Sequence, residues 1–123
     1  MKDAKAKDII QNIIKEVESN GVTGETLVSQ LQELRTFAQK DQDPLTIKVI
    51  RLAYQYLEEN EAFDLIVTEE EYVDDEGNVI QPETPEMTDE ENLINFVSLL
   101  KNTENEYNRE DLQAYRDLFY EAL

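Results

Sequence analysis

The chain has 123 residues, of which 40% are hydrophobic and 33% charged, and it carries a formal net charge of −18. A chain of this length is one ordinary domain that buries roughly two thirds of its unfolded surface. Histidine, cysteine and tryptophan are absent, which excludes a disulfide framework, a Ser–His or Cys–His nucleophile pair, and zinc or haem sites of the usual kind.

The first two helices are predicted over residues 3–20 and 24–40. Apolar side chains recur in each at intervals of three and four residues, which is the spacing of one buried helical stripe. Gly21 supplies a stop for the first helix, because glycine accepts the left-handed conformation that ends helices, and Thr23 is the predicted cap of the second. The inward positions are Ile9, Ile10, Ile13, Ile14 and Val17, followed by Leu27, Leu31, Leu34 and Ala38.

The third predicted helix, residues 44–62, is the one around which the others are expected to pack. Asp43 can cap it with its carboxylate, and Pro44 suits the first helical position, where its missing N–H costs nothing. Its polar side chains form a narrow stripe of Lys48, Arg51, Gln55, Glu58 and Glu59. An apolar arc this wide is typical of a helix contacted on several sides. The short connections between the first three helices predict an up-down-up arrangement.

Residues 64–87 form an acidic segment with a different pattern. Two short β-favouring pairs, Tyr72–Val73 and Val79–Ile80, flank a turn in which Gly77 is placed to accept a positive φ. Two prolines exclude regular helix from residues 81–87. We therefore expect a small β-hairpin, and an acidic loop tethered by a few apolar side chains is the alternative.

Helix is predicted again over residues 89–101 and 109–122. Thr88 begins a capping box with acidic residues in the first turn, and Asn108 is the predicted cap of the last helix. Their inward side chains are Leu93, Ile94, Phe96, Val97, Leu99 and Leu100, followed by Leu112, Tyr115, Leu118, Phe119, Ala122 and Leu123. The chain is thus predicted to be one mainly α domain over residues 1–123, a compact bundle of about five helices. The acidic hairpin or loop is inserted between the third helix and the fourth.

The aromatic side chains divide into two groups. Those at helical spacings are expected in the core, with any hydroxyl reaching the surface. They are Tyr54, Tyr56, Phe96, Tyr115, Phe119 and Tyr120. Tyr72 and Tyr107 are less easily assigned to a core, and aromatic side chains on an acidic rim suit a protein-binding surface.

The acidic charge is concentrated in the second half of the chain. Residues 1–63 hold 8 basic and 11 acidic side chains, a net of −3, whereas residues 64–123 hold 3 basic and 18 acidic, a net of −15. No Lys or Arg occurs between Asp64 and Leu100. Such a field repels nucleic acids and anionic lipid and attracts basic partners or cations, although acidic charge also serves solubility. It also disfavours burial of this half in a symmetric dimer.

Without His and Cys, carboxylates, hydroxyls, tyrosines and lysines are the groups that remain for metal binding or catalysis, and no motif for either is complete. No GxxxxGK[ST] or GxGxxG sequence occurs. With Gly77 at the sixth position of an EF-hand loop, Tyr72 would stand first, where an acidic ligand is required. Carboxylates in residues 70–74 and 86–89 loosely imitate magnesium-dependent nucleotide hydrolases but lack a rigid scaffold on which to converge. We therefore expect no cofactor, no metal site and no enzymatic activity.

The sequence favours a non-enzymatic helical domain that binds a protein partner through its acidic second half. The candidate partner-binding residues are Glu69, Glu70, Glu71, Tyr72, Asp74, Asp75 and Glu76. Long-range attraction would draw in a basic partner, and apolar groups of the same segment would then hold it. One alternative is an inhibitor that mimics nucleic acid in the phosphate site of a DNA- or RNA-binding protein. A carboxylate- and Mg²⁺-dependent hydrolase is the less favoured alternative.

The same composition bears on location and on excluded partners. No run approaches the roughly 20 apolar residues of a membrane-spanning helix. Residues 1–7 lack the apolar stretch and cleavage site of a secretion signal. We expect a cytoplasmic protein of the small, acidic, helical kind common in bacteria, without nucleic-acid or membrane partners.

Overall fold

A computed structural model describes residues 1–68 and 71–123 of the chain. Within these ranges it contains five α-helices: α1 (Ala4–Asn20), α2 (Leu27–Lys40), α3 (Pro44–Asn60), α4 (Asp89–Leu99) and α5 (Glu106–Ala122). Short 3₁₀ turns follow α1 at Gly21–Thr23 and α4 at Leu100–Asn102. Strands β1 (Tyr72–Val73) and β2 (Val79–Ile80) pair antiparallel between α3 and α4. The predicted mainly α bundle with a hairpin between the third and fourth helices is confirmed.

Local sequence signals explain several helix ends. Asp43 accepts a hydrogen bond from a first-turn amide of α3, and Pro44 begins that helix. Thr88 and Glu91 exchange both hydrogen bonds of a capping box at the start of α4. Gly21 ends α1 with a φ of 71°. These caps agree with the predictions because each depends on residues adjacent in the chain.

Two predicted caps are wrong. Thr23 belongs to the 3₁₀ turn after α1, so that α2 begins only at Leu27. The last helix is capped by Asn105, whose side chain accepts hydrogen bonds from the amides of Tyr107 and Asn108. Asn108 was the predicted cap but lies in the first turn of α5. The extended backbone that a cap requires is found at position 105, with φ of −69° and ψ of 128°.

The five helices pack in a closed order around one core. α2 contacts α1 and α3, α5 contacts α3 and α4, and α4 returns to α1. α3 is enclosed as its wide apolar arc predicts, since Val49, Ile50 and Ala53 have no exposed surface. The chain order of the helices therefore differs from their order in space, because α5 lies between α3 and α4.

Aromatic rings fill the part of the core nearest the inserted segment. Phe63, Phe96, Tyr115 and Phe119 pack together with ring centroids 5.1–6.4 Å apart. All four side chains are essentially inaccessible to water. Phe63 follows α3 in the chain, so this cluster ties the start of the acidic segment to α4 and α5.

The last turn of α5 departs from its predicted inward pattern. Tyr120 and Leu123 are 47% and 44% exposed, and Ala122 is also exposed. The Tyr120 ring instead lies beneath the ammonium group of Lys48 on α3, with 5.1 Å between the nitrogen and the ring centroid. Helical periodicity assigned these residues to the core, but among the last five residues of the chain only Phe119 is buried.

Candidate protein-binding site

The acidic segment carries a two-stranded hairpin, and not only an irregular loop. Its register pairs Tyr72 with Ile80 and Val73 with Val79. Gly77 in the turn has a φ of +85°, as its position in the sequence predicts, and no atom lies within 4 Å of where a Cβ would be. Glycine is therefore favoured at this turn by the backbone conformation and not by lack of space.

Asp74 holds the turn of the hairpin together. Its carboxylate accepts hydrogen bonds from the backbone N–H of Asn78 at 2.8 Å and of Glu76 at 3.0 Å. These bonds, above all the one from the Asn78 amide, hold the pKa of the Asp74 carboxyl below its usual range. Asp74 was predicted as a partner-binding residue, but in the free protein its oxygens are engaged in the turn.

The hairpin exposes large apolar side chains. Val73 and Val79 are 64% and 63% exposed, and Tyr72 is 54% exposed. Val73 and Val79 are opposite each other in the register, so their side chains share one face of the hairpin. We call Val73 and Val79 the hairpin patch, and Tyr72 projects from the opposite face of its strand. Exposed apolar groups that lie together are a feature of binding surfaces, whereas single exposed apolar side chains are ordinary.

Carboxylates border the hairpin patch. Glu71, Asp75 and Glu76 are all exposed, and Glu71 accepts a hydrogen bond of 2.7 Å from the side-chain amide of Gln81. The predicted binding residues 71, 72, 75 and 76 are thus solvent-exposed on one small element. Glu69 and Glu70 lie outside the described residues, and their predicted role stays a prediction.

A buried polar network fixes the segment that leads into the hairpin. Asn92 on α4 is 1% exposed, and its side-chain nitrogen donates to the carbonyls of Phe63 at 2.8 Å and Leu65 at 2.9 Å. Its oxygen accepts a hydrogen bond of 2.6 Å from the Tyr115 hydroxyl on α5. Asp89 accepts a further bond of 3.2 Å from the Phe63 amide. Carbonyl oxygens can only accept hydrogen bonds, so the nitrogen of the Asn92 side-chain amide, and not its oxygen, must face Phe63 and Leu65.

Sequence reasoning missed Asn92 and one ion pair. Asn92 lies four residues before Phe96 and therefore on the same, buried face of its helix. This position in the helical repeat could have indicated a buried polar side chain. Arg109 on α5 forms a two-pronged ion pair with the α3 cap Asp43, with nitrogen–oxygen distances of 2.9 and 3.1 Å. Partial burial alone would raise the pKa of Asp43, but hydrogen bonds from Arg109 and Thr46 outweigh it and lower that pKa. No local pattern identifies partners 66 residues apart.

The part of the chain that the structure describes shows no group of three or more acidic side chains placed to hold a metal ion. Over the same residues, no helix combines the length and the apolar character that crossing a membrane requires. No protein-family model, curated protein or solved structure matches the sequence.

Proposed function

We propose that this protein is a non-enzymatic interaction domain that binds a basic protein partner through its acidic second half, with the hairpin patch at the contact. One observation carries the proposal. Three large apolar side chains are exposed on the hairpin, inside a stretch that has no Lys or Arg between Asp64 and Leu100. Covering these side chains with a partner would remove their apolar surface from water.

Charge and apolar surface would act at different stages of association. The net charge of −15 on residues 64–123 would accelerate encounter with a basic surface, and salt would weaken this effect. Glu71, Asp75 and Glu76 border the patch and would mainly set the association rate. Val73 and Val79 would be buried at the contact and would mainly set the dissociation rate.

The test begins with affinity capture from the source lysate at low and high salt and identification of the retained protein by mass spectrometry. Its binding rates are then measured by surface plasmon resonance. Neutralising Glu71, Asp75 and Glu76 with Gln or Asn is expected to slow association at low salt. Val73→Thr with Val79→Thr keeps the β-branched shape and is expected to speed dissociation about thirtyfold, since each valine has about 1 kcal/mol to gain on burial and the two together about 2 kcal/mol.

A matched control removes the same charge elsewhere. Glu18→Gln, Glu25→Gln and Glu33→Gln change exposed carboxylates in the first half of the chain and lower the net charge equally. Association that slows equally in both triple variants would reflect net charge alone. Rates unchanged by the hairpin variants would remove the hairpin from the mechanism.

The same charge suits a narrower version of the proposal, an inhibitor that mimics nucleic acid. Its carboxylates would occupy the phosphate site of a DNA- or RNA-binding partner. A short DNA duplex should then compete with this protein for the captured partner. Simultaneous binding of duplex and protein would dismiss the mimic and leave ordinary protein binding.

Metal titration separates the proposal from a Mg²⁺-dependent hydrolase. The melting temperature, measured with Mg²⁺, Mn²⁺ and Ca²⁺, is expected to respond similarly to all three ions and only at millimolar concentration, because charge screening alone acts there. Stabilisation by one ion at micromolar concentration would reveal a specific site and contradict the proposal.

A further inference from the structure

A half-open groove lies at the foot of the hairpin, where the segments that enter and leave it meet α5. Its volume is about 1010 Å³. The apolar surface of this cavity comes from Val67, Pro82 and Pro85 of those segments and from Ala114 of α5, with the buried Tyr115 beneath it. We call this cavity the α5 groove. The volume of the α5 groove is at the upper end of the roughly 300–1,000 Å³ of small-molecule pockets. A groove of this volume can hold several residues of a peptide.

Four carboxylates stand along the same groove. Glu110, Asp111 and Asp117 come from α5 and Glu83 from the segment after β2, and no Lys or Arg is found among the described residues that line it. Asp117 has a cation beside it, Arg116, at 3.2 Å, but this pair is exposed and weak. Partial burial raises the pKa of the Asp111 carboxyl, so an arriving cation would stabilise its ionised form.

The α5 side of the groove is held in place before anything binds. The Tyr115 hydroxyl donates to Asn92 at 2.6 Å and accepts from the side-chain amide of Asn95 at 3.1 Å. The same Asn92 holds the carbonyls of Phe63 and Leu65, just before Val67 at the groove. The α5 side of the groove would therefore lose little conformational entropy on binding.

We infer that the α5 groove binds an extended, arginine-rich segment of the protein partner. This inference builds on the proposed function, and it names the part of the partner that the chain recognises. The aliphatic stems of arginine would pack on the apolar lining, while the guanidinium groups reach the carboxylates in two-pronged contacts. Glu110 and Asp117 lie on the same face of α5, seven residues apart and about 10.5 Å apart along the helix axis at 1.5 Å per residue. Alternate side chains of an extended peptide are about 7 Å apart, and arginine side chains are long enough to bridge the difference between this distance and the spacing of the carboxylates.

The probe is an acetylated and amidated octapeptide of alternating arginine and alanine, titrated into the ¹⁵N-labelled full chain. Its control is the same peptide with citrulline, which keeps the shape of arginine and lacks its charge. The amide resonances of Val67, Thr68 and Ala114 are expected to shift and saturate with the arginine peptide only. High salt should weaken the binding, because screening reduces attraction between partly exposed charges.

Two matched variants of α5 locate the binding. Ala114→Lys places a cation in the groove and is expected to weaken the peptide at least about tenfold, because it fills the floor and competes for the carboxylates. Ala122→Lys makes the same change at an exposed position at the end of α5 and should alter affinity less than about twofold. Asp111→Asn is a milder variant that should weaken binding about threefold. Thermal unfolding checks that each variant is folded.

Other outcomes overturn the inference without affecting the proposed function. Shifts confined to Tyr72–Ile80 that Ala114→Lys leaves unchanged would place the peptide on the hairpin patch alone. Equal shifts with the citrulline peptide, or small shifts spread over all acidic helices, would mean that no groove recognises arginine. The proposed function fails separately, when the captured partner binds the hairpin variants as it binds the unmodified chain.

Discussion

Replacing Asn92 with alanine tests whether one buried amide fixes the base of the hairpin. The substitution removes bonds of 2.8 and 2.9 Å to the carbonyls of Phe63 and Leu65, and the 2.6 Å bond from the Tyr115 hydroxyl. It also leaves a small cavity beside an aromatic cluster that is closed to water. The perturbation therefore combines lost hydrogen bonds with unsatisfied polar groups in the core.

The expected cost follows from the three bonds. Each buried hydrogen bond contributes about 1 kcal/mol, and leaving its partner unsatisfied can double that loss. The Leu65 carbonyl is less deeply buried than that of Phe63, so water replaces its lost bond more easily. We therefore expect Asn92→Ala to lower the free energy of unfolding by about 3–4 kcal/mol, out of the roughly 5–15 kcal/mol of a typical domain.

Urea unfolding followed by circular dichroism measures this cost. Tyr115→Phe is the matched control, since it removes only the hydroxyl and should cost about 1–1.5 kcal/mol. The double variant should lose about 1 kcal/mol less than the sum of the singles, because both remove the same hydroxyl–amide bond. Amide hydrogens of residues 63–67 should also exchange faster in Asn92→Ala.

One result would refute this reasoning. If Asn92→Ala unfolds within about 1 kcal/mol of the unmodified chain, with the same dependence on urea, the amide does not fix the segment. Strictly additive costs for Asn92→Ala and Tyr115→Phe would likewise mean that their hydrogen bond contributes nothing to stability.

Three further predictions concern titration and the turn. Arg109→Gln should lower the free energy of unfolding by about 1 kcal/mol at neutral pH. The loss should be smaller below about pH 3.8, because the lowered pKa of Asp43 gives stability that disappears as the carboxylate is protonated. Urea unfolding at pH 7 and pH 3.5 measures both losses, and equal losses would contradict the prediction. Burial and a hydrogen bond to Asp64 raise the pKa of Tyr56 to about 12, so stability from its neutral phenol is complete below pH 10 and is lost as pH rises through about 12. The difference between ultraviolet titrations of the unmodified chain and Tyr56→Phe should have its midpoint there, and a midpoint near 10 would refute it. Gly77→Ala should destabilise the hairpin by about 1 kcal/mol, and Gly77→Asn by less, because asparagine tolerates a positive φ. Hydrogen exchange of the strand amides should be faster in the alanine variant, and equal exchange in the two variants would contradict this reasoning.

Predictions from local signals agree with the structure best where the deciding residues are neighbours in the chain. Asp43 and Pro44 begin α3, Thr88 begins α4, and Gly77 forms the turn of the hairpin, each for a reason that operates over a few residues. The predicted cap of α5, Asn108, is wrong, because residue type alone does not show that the extended backbone of a cap lies at Asn105. The backbone conformation that decides a cap depends on how the whole helix packs.

The partner-binding role of the acidic residues stays a prediction, and the structure shows only where these residues lie. The exposed positions of Tyr72, Asp75 and Glu76 agree with the predicted acidic surface. The carboxylate of Asp74 bonds within the turn, which residue type could not distinguish from a free ligand. Nothing in the sequence indicated the α5 groove, because it brings residues before and after the hairpin together with a helix more than 20 residues further along.

By itself, the sequence determined the helices, a turn at Gly77 and the uneven acidic charge, because periodicity, caps and composition act over short stretches of chain. It left a hairpin and a tethered loop as alternatives for the acidic segment, and the structure contains the hairpin. Only the tertiary structure decided that α5 lies between α3 and α4, that Arg109 pairs with Asp43, and that Asn92 joins the start of the hairpin segment to Tyr115. These contacts join residues 23–66 positions apart. Such pairings arise when a whole core minimises its exposed apolar surface and satisfies its buried polar groups together, and no short stretch of chain encodes them alone.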